Sequence, residues 1–293
     1  MLLRILLARG KPEEAIAAWE PFIAATGKPG AALLSLAKGL GYFGFQGHAE
    51  IILKRAEEHS EDDKTLAYTA AGILGQELGP SQQSWAVDMF DKFSSFYDQN
   101  LAAIGNGGPM LIGTMLKRLP ISPENKLDVL DAGCGTGLCV PFLKPYARLL
   151  HGCDFSVGML QESYGKGIYD MLTRTDLTDP ATLPEGLFDL IVCADVFTYF
   201  GDMTGTLGNL AGKLRPGGWL IFTVEDAGES ELPKGYKLYS SGRYIHSEAY
   251  LCKALAATGF APPAEQITAT LRLELGMPLP GRAVAAQIEK TGE

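Results

Sequence analysis

From residue 126 onward the chain alternates short apolar runs with amphipathic stretches. The apolar runs are rich in Leu, Val, Ile and Phe, which is typical of buried strands, and the stretches between them have helical periodicity. Such an alternation indicates a mostly parallel sheet that is covered by helices on both faces. We expect strands at 127–132, 149–153, 169–174, 188–194 and 218–224, and helices at 137–146, 156–164, 204–214 and 247–258.

Two later segments alternate polar and apolar positions with a period of two, which is typical of strands that have one exposed face. They are 265–274 and, more weakly, 282–288, and a turn rich in glycine and proline separates them. We expect these segments to form an antiparallel hairpin that closes the sheet.

Residues 1–79 have helical periodicity and no strand pattern. The segment that begins at Gly10 is echoed by the segment that begins at Gly44, and Ala15 by Ala49, in both cases 34 residues later. This is the period of tetratricopeptide helical hairpins. The prolines expected at the repeat ends are absent, so a plain helical extension is the alternative interpretation.

Two more helices are expected before the first strand. Residues 84–101 form an amphipathic pattern dense in aromatic side chains, and 109–119 form a second helical stretch that Pro120 ends. We therefore predict three regions: a helical tetratricopeptide-like region at 1–80, a helical lid or linker at 81–120, and an α/β domain at 121–293.

Composition and charge exclude several classes of protein. The net charge of -9 and the pI near 5.1 provide no basic surface for nucleic acid or an anionic membrane. The amino-terminal apolar run is short and Arg4 interrupts it, which favours an amphipathic helix over a signal peptide. The five cysteines show neither paired nor metal-type spacing. We expect reduced thiols in a cytoplasmic protein, with no metal site and no membrane segment.

The segment after the first predicted strand indicates the chemistry. Residues 127–137 read Leu-Asp-Val-Leu-Asp-Ala-Gly-Cys-Gly-Thr-Gly. Its glycines, Gly133, Gly135 and Gly137, allow a sharp turn and the close approach of a ligand. Asp131 is placed to meet a positively charged ligand group. A turn of this kind, after the first strand of an open α/β sheet, is where such sheets bind ligands.

The glycine spacing distinguishes between ligands. A dinucleotide turn needs Gly-x-Gly-x-x-Gly, but Leu138 occupies the last position and the third glycine comes one residue early. The compact spacing resembles the first motif of class I methyltransferases that bind S-adenosylmethionine. The resemblance implies a Rossmann-like sheet of seven strands at 121–293 and S-adenosyl-L-methionine as the cofactor.

The resemblance also implies roles at the ends of the next two strands. Asp154 would accept hydrogen bonds from both ribose hydroxyls, because a carboxylate offers two acceptor oxygens. Phe155 would cover a face of the adenine, and Asp176 would accept from the adenine amino group while the Leu177 amide faces a ring nitrogen. The alternatives are a helix cap for Asp154 and an ordinary turn for Asp176. The cofactor-binding set is completed by Ser156 and, after the fourth strand, Ala194.

The fourth strand ends at the same crevice and continues into Asp195. It lacks the Asn/Asp-Pro-Pro-Tyr/Phe sequence of enzymes that methylate amide or exocyclic amino groups, which argues against nucleic acid or glutamine as acceptor. Beyond the superfamily, the chain resembles bacterial methyltransferases with amino-terminal tetratricopeptide repeats. That resemblance rests on the residues at 90–101, 194–202, 241–247 and 276–281.

The first candidate for a catalytic base is His246, because the ordinary pKa of imidazole suits that role and substrate residues usually lie after the fifth strand. The alternative is that His246 only opens a helix that Ser247 caps. Asp195 is the second catalytic candidate. Tyr97, on the lid helix with Phe93, is expected near the methionine carboxylate. The residues expected to line the acceptor pocket are Tyr199, Glu225 and Tyr244.

Several functions remain open. The first is methyl transfer to the oxygen, nitrogen or carbon of a small molecule. Methylation of a protein or peptide recruited through the repeats is the second, since stacked helical hairpins form concave surfaces for a partner or for self-association. The others are a scaffold that binds S-adenosylmethionine without turnover, and a site redirected to chemistry other than methylation.

Overall fold

The computed structural model describes residues 2–59, 63–76, 90–91, 94–228, 232–274 and 276–289. The chain divides into two compact units. The helical unit comprises Met1–Ala86 together with Lys237–Arg243, and the sheet unit comprises Val87–Tyr236 together with Tyr244–Glu293. This division differs from the sequence prediction, because the segment from Val87 onward groups with the sheet and a short later segment groups with the helices.

The described part of the helical unit contains five helices. The prolines that begin two of them occupy the first helical turn, where no backbone N–H is required. Their apolar faces meet in one core that includes the fully buried Leu36 and Leu40. The helices are α1 (Leu2–Ala8), α2 (Pro12–Ala25), α3 (Pro29–Tyr42), α4 (Gln46–Glu57) and α5 (Asp63–Leu74).

The segment Lys237–Arg243 packs on α5 within the helical unit. The hydroxyl of Tyr68 donates a hydrogen bond to the carbonyl of Gly242. Two glycines permit this contact: a Cβ at Gly72 would lie 2.5 Å from the carbonyl oxygen of Tyr239, and one at Gly242 would lie 2.4 Å from the Tyr68 ring. The helical unit is therefore completed by residues far away in sequence.

The described strands of the sheet are β1 (Leu127–Ala132), β2 (Ala147–Asp154), β3 (Met171–Arg174), β4 (Phe188–Cys193), β5 (Leu214–Asp226), β6 (Tyr236–Leu238), β7 (Tyr244–His246), β8 (Glu265–Glu274) and β9 (Met277–Gln287). The sheet unit is built on a mostly parallel sheet in the order β3-β2-β1-β4-β5. Strand β9 pairs antiparallel with β5, and β8 pairs antiparallel with β9. The short strand β7 pairs in parallel with the end of β5, and the chain leaves this unit at β6.

The central strands are buried on each side because helices cover both faces of this sheet. One core contains Leu207 and Leu255, and the other contains Ile112 and Leu143. Ser156 caps α9 (Val157–Lys166), where the sequence offered Asp154 as the cap: the Ser156 hydroxyl accepts from the Met159 amide at 3.1 Å. The helices are α6 (Tyr97–Ala103), α7 (Gly108–Leu116), α8 (Val140–Leu143), α9 (Val157–Lys166), α10 (Thr204–Ala211) and α11 (Glu248–Ala257).

The predicted alternation of strands and helices is confirmed, as is the antiparallel hairpin. The seven predicted strands are present, and the short strands β6 and β7 bring the described sheet to nine strands. His246 therefore lies on a strand where the sequence indicated a loop. The helix predicted at 84–101 falls partly outside the described residues, and its described end is a 3-10 turn (Ser94–Phe96) followed by α6. Phe93 lies outside the described residues. In the part of the chain that the structure describes, no helix is both long and apolar enough to cross a membrane.

Candidate functional site

A cleft opens at the carboxyl ends of β1 and β4. Strand order reverses here, since β1 is followed in space by β2 on one side and by β4 on the other. A reversal of this kind creates a crevice at the carboxyl edge of a parallel sheet. The lining residues are Tyr97, Leu101, Asn106, Pro109, Asp131, Gly133, Cys134, Gly135, Thr136, Leu138, Cys139, Ala194 and Asp195.

The glycine turn forms the floor of the cleft. All three glycines have positive φ angles, of 75°, 52° and 91° for Gly133, Gly135 and Gly137, a region that L side chains rarely adopt. A Cβ at Gly133 would lie 2.3 Å from Val196, and one at Gly137 would lie 2.3 Å from Ile168. Among the described residues, a Cβ at Gly135 would meet only the Tyr97 ring, at 3.9 Å. Gly135 is therefore the glycine that leaves open space for a ligand.

Asp131 lies at the end of β1 and is almost fully buried, at 1% exposure. Its Oδ2 accepts a hydrogen bond from the Tyr169 hydroxyl at 2.7 Å. Among the described residues, no basic side chain pairs with this carboxylate. Burial, followed by the nearby charge of Asp154, raises the pKa of Asp131 to about 7, although the Tyr169 hydrogen bond opposes the shift. A cationic ligand group would stabilise the ionised form.

Asp154 ends β2 and is held against the turn. One carboxylate oxygen accepts from the Gly135 amide and the other from the Ser156 amide, both at 2.9 Å. Burial raises the pKa of Asp154 to about 6 despite these hydrogen bonds. Since each carboxylate oxygen has a second lone pair, Asp154 both shapes the turn and retains acceptor capacity for a ligand. The N-cap of α9 is Ser156 and not Asp154, and the ligand role of Asp154 stays a prediction.

Two aspartates that sequence reasoning did not assign anchor the segment before the first strand. Asp91 accepts from the Ser156 hydroxyl and, at 3.0 Å, from the Gly158 amide at the start of α9. Asp98 accepts from the Thr136 hydroxyl in the glycine turn and from the Lys166 ammonium at 2.8 Å. Burial opposes ionisation of Asp98, but these hydrogen bonds hold its pKa below the ordinary value.

Aromatic side chains from three parts of the sequence come together beside the cleft. Phe90 makes edge contacts with Tyr97 and Phe155, each at a centroid distance of 6.1 Å, and with Tyr199 at 5.4 Å. Tyr97 in addition lines the cleft. The residues expected over the methionine, over the adenine and in the acceptor pocket thus form one cluster, which Phe90 joins.

Asp176 and Leu177 lie in a turn after β3, and their role toward adenine stays a prediction. Asp176 is exposed, and its Oδ1 accepts from the Thr178 amide at 2.9 Å and from the Thr178 hydroxyl at 2.7 Å. The Leu177 side chain is buried in the core. The geometry is that of a side-chain-stabilised turn, which was the alternative interpretation of Asp176.

His246 does not line the cleft. The ring is fully buried, and its Nε2 lies 2.9 Å from the carbonyl oxygen of Phe200, to which it donates. It also stacks on Tyr250, with ring centroids 5.7 Å apart. Burial lowers the pKa of His246 to about 4. These contacts give the imidazole a neutral packing role between β7 and the Phe200 segment and do not bring it to the carboxylates of the cleft.

Two of the three residues expected to line the acceptor pocket are buried outside the cleft. Tyr244 is 6% exposed and packs edge-on against Tyr236. Glu225 is fully buried and pairs with Arg272 on β8. Arg272 lies in turn 3.7 Å from Asp195, which does line the cleft. Sequence reasoning missed Arg272 altogether.

Comparisons with known proteins agree with this architecture. Residues 109–263 match the methyltransferase domain family. Because the match covers more than half of the chain, the chain belongs to this family, and the predicted methyltransferase domain is confirmed. The match begins at residue 109 and so does not include α1 to α5 of the helical unit, whose relation to tetratricopeptide repeats stays a prediction.

Curated relatives match only a part of the chain. Methyltransferase-like protein 27 of Homo sapiens is 36% identical over 106 residues, which are 35% of this chain and 43% of that protein. Malonyl-[acyl-carrier protein] O-methyltransferase of Acetivibrio thermocellus is 28% identical over 117 residues, 39% of this chain and 41% of that protein. The chain therefore spans less than half the length of these relatives.

One solved structure shows the shared fold. It is the 1,6-didemethyltoxoflavin-N1-methyltransferase of Burkholderia thailandensis, with bound 1,6-didemethyltoxoflavin and S-adenosylhomocysteine. Its TM-score is 0.54 at 18% sequence identity, and the alignment covers 73% of this chain and 92% of that chain. The predicted α/β Rossmann-like class is thereby confirmed.

Proposed function

We propose that the protein transfers a methyl group from S-adenosyl-L-methionine to a small-molecule acceptor. The observation that carries the proposal is the combination of an open Gly135 with two buried carboxylates, Asp131 and Asp154, that have no basic partner among the described residues. Buried carboxylates without a counter-ion are costly unless a ligand compensates them. The amine and the ribose hydroxyls of S-adenosylmethionine are groups of the required kind.

The residues present fit this cofactor. Asp131 would hold the amine, Asp154 would accept from the ribose, and Tyr97 and Phe155 would cover the ligand from the aromatic cluster. When bound, the cofactor supplies an electrophilic methyl group, so the protein mainly has to align the acceptor and exclude water. Alignment of this kind can supply roughly 7–11 kcal/mol of the barrier.

An acceptor that must lose a proton also needs a base. We assign that role to Asp195, because Asp131 and Asp195 are the charged residues among those lining the cleft and Asp131 is assigned to the cofactor. A positioned base typically contributes 10²–10⁴-fold to the rate. The buried position of His246, with its pKa near 4, supports a structural role for that residue. Burial also raises the pKa of the Cys134 and Cys139 thiols, which keeps both protonated.

Calorimetric titration with S-adenosylhomocysteine tests the cofactor assignment. We expect binding in the micromolar range, about -8 kcal/mol, and its loss in Gly135→Val, whose side chain fills the open space. Gly186→Val is the matched control, because Gly186 also has a positive φ angle, of 87°, but nothing lies within 4 Å of its Cβ position. The control should keep the wild-type dissociation constant. Absence of binding by the wild type would overturn the proposal.

The helical unit is proposed to be tetratricopeptide-like, and its geometry supports this. Helices α2 and α4 begin at residues 12 and 46, and α3 and α5 begin at 29 and 63, so both pairs are offset by 34 residues. Gly10 and Gly44 share a positive φ angle, and Ala15 and Ala49 are both fully buried. A repeat of this kind offers a surface for a protein partner or for self-association. Light scattering after size exclusion tests self-association, and a monomer at all concentrations would exclude it.

We also propose a cytoplasmic location. The structure shows five free cysteines, of which Cys252 is exposed and the other four are buried. Unpaired thiols of this kind are typical of a reducing compartment. Labelling of Cys252 by a maleimide in freshly lysed cells tests the prediction, and a blocked thiol would contradict it.

A further inference from the structure

A buried ion cluster lies behind the cleft at the ends of three strands. Arg272 on β8 pairs through Nη2 with Glu225 at the end of β5, and its Nη1 lies 3.7 Å from Oδ1 of Asp195, just after β4. Arg272 is 3% exposed and Glu225 is fully buried. Only Asp195 of the three lines the cleft. The cluster thus joins the cleft wall to the interior of the sheet.

The backbone also fixes Asp195. It has a φ angle of 58°, which is uncommon for any residue except glycine and is tolerated best by Asp and Asn. Its amide donates to the Thr223 hydroxyl on β5 at 2.8 Å. Outliers of this kind persist where surrounding contacts enforce them, often at binding sites. The result is that Oδ2 faces the start of α7, where a Cβ at Gly108 would lie 2.9 Å away.

In the part of the chain that the structure describes, one guanidinium serves the two carboxylates of the cluster, and it makes its closer contact with the fully buried Glu225. Among the described residues that line the cleft, none is basic. Asp195 therefore presents a carboxylate that is only partly compensated to whatever lies in the cleft. A ligand group that donates a proton or carries positive charge is favoured there, and an anionic group is disfavoured.

We propose that Arg272 is a positioning residue that holds Asp195 toward the acceptor, and that the acceptor is therefore an amine or hydroxyl compound and not a carboxylate. This inference rests on the proposed function. The lone pair of the acceptor nitrogen or oxygen forms the new bond to the methyl carbon, and the bond from that carbon to sulfur breaks with its electron pair left on sulfur. The proton of the acceptor passes to the carboxylate of Asp195.

Arg272 is suited to this role because its planar fork reaches two carboxylates at once, which an ammonium group does not reproduce. Removing Arg272 alone would take the guanidinium away from the buried Glu225 carboxylate and would threaten folding. The double variant Glu225→Gln/Arg272→Met removes one positive and one negative charge together. It keeps the net charge near Asp195 while it removes the guanidinium that positions the Asp195 carboxylate.

The experiment measures the binding of two probes, benzylammonium and benzoate, to the complex of the protein with S-adenosylhomocysteine. The probes share a ring and differ in the charged group. By titration followed with NMR, we expect the wild type to bind benzylammonium at least 10-fold more tightly than benzoate. Asp195→Asn should lower that ratio at least 10-fold, and Glu225→Gln/Arg272→Met at least 3-fold, with the affinity for S-adenosylhomocysteine kept within about twofold in the double variant.

Arg282→Met is the matched control. Arg282 on β9 pairs with Asp226, the neighbour of Glu225, at 3.0 Å, and neither residue lines the cleft. It should leave the ratio of the two probes unchanged while it breaks a partly buried ion pair at the same end of β5.

The outcomes separate the possible failures. Benzoate binding as tightly as benzylammonium, or no measurable binding of benzylammonium, overturns the acceptor class. An unchanged ratio in Asp195→Asn does the same. An unchanged ratio in the double variant overturns the positioning role of Arg272. Failure of the wild type to bind S-adenosylhomocysteine at all contradicts the proposed function instead.

Discussion

The two edges of the sheet treat aspartate in opposite ways, and β1 carries an example of each. At its amino end Asp128 accepts from Arg148 at 2.6 Å and from Arg215 at 2.9 Å. Arg215 also pairs with Asp189 on β4, at 2.9 Å. Four side chains from four neighbouring strands are thereby linked by ion pairs that the protein supplies itself.

At the carboxyl end of the same strand, Asp131 has only a tyrosine hydroxyl as its polar side-chain partner among the described residues. Asp154 on β2 accepts hydrogen bonds from backbone amides. Burial raises the pKa of both carboxylates, and a nearby charge adds to this effect, from Asp154 on Asp131 and from Asp91 on Asp154. The amino edge therefore uses carboxylates for stability, whereas the carboxyl edge keeps carboxylates whose negative charge a ligand has to compensate.

The largest expected effect concerns pH. Because the pKa of Asp131 in the folded protein is about 7, far above that of the unfolded chain, the folded state binds more protons between about pH 4 and 7. The contribution of Asp131 to stability is therefore complete below pH 4 and is lost as pH rises through 7. We expect urea unfolding to show that Asp131→Asn gains about 2–3 kcal/mol relative to wild type between pH 5 and 7.5. A constant difference across that range would contradict the uncompensated charge.

The next effect is on cofactor affinity. Asp131→Asn should weaken binding of S-adenosylhomocysteine at least 100-fold, about 2.7 kcal/mol, because the amide cannot pair with the ligand amine. Calorimetry at pH 8, where Asp131 is ionised, measures this change. Equal affinities of the variant and the wild type would place the amine elsewhere.

In contrast to Asp131→Asn, the variant Asp128→Asn should lower stability and leave cofactor affinity unchanged. The substitution removes charged hydrogen bonds to two arginines that are partly exposed, so we expect a loss of about 1–2 kcal/mol in the free energy of unfolding. The dissociation constant of S-adenosylhomocysteine should stay within about twofold of the wild-type value. A large loss of affinity here would remove the distinction between the two edges.

The smallest effect concerns Lys166, a cation near the carboxyl edge that pairs with Asp98 and the carbonyl of Thr136, each at 2.8 Å. Lys166→Met loosens the anchor of α6 on the glycine turn. Because the pair is partly exposed, we expect S-adenosylhomocysteine to dissociate only ~2–5-fold faster in stopped-flow measurements. The control is Lys144→Met, which breaks an exposed pair with Asp170, and it should leave the rate unchanged. Equal rates in both variants would exclude a role for the anchor.

The sequence predicts best what is encoded locally. The first strand (Leu127–Ala132) and the first arm of the hairpin (Glu265–Glu274) have the boundaries expected from their patterns. A continuous apolar run and a period of two are readable without knowledge of the partner strand. The glycine turn is equally local, because its residues lie within 11 positions of the sequence.

The cluster of Asp195, Glu225 and Arg272 could not be read in the same way. Glu225 and Arg272 are 47 residues apart and meet only through the pairing of β9 with both strands. The alternation along β8 places Arg272 on the exposed face. A register shift between Thr270 and Arg272 changes this, and Leu271 and Arg272 are both buried in succession. No signal in the sequence of β8 indicates this irregularity.

His246 illustrates the converse problem, in which a suitable residue type suggested a chemical role. Its position after the fifth predicted strand made it a candidate base. The pairing of β7 with Asp226, and the packing of Tyr250 on the ring, depend on distant residues and bury the imidazole. The Ser247 cap, by contrast, is local, and its hydroxyl accepts from the Tyr250 amide at 3.3 Å as expected.

The membership of Lys237–Arg243 in the helical unit affects how this protein can be dissected. The chain passes between the two units three times, near residues 86, 236 and 243. If the chain were cut at residue 86, the carboxyl-terminal fragment would keep Tyr239 and Gly242 but lose the helix on which they pack. The amino-terminal helices would in turn lack the segment that covers Gly72. Anyone who wishes to transplant either half onto another protein has to move this heptapeptide with the amino-terminal helices and rejoin the ends left behind at Tyr236 and Tyr244.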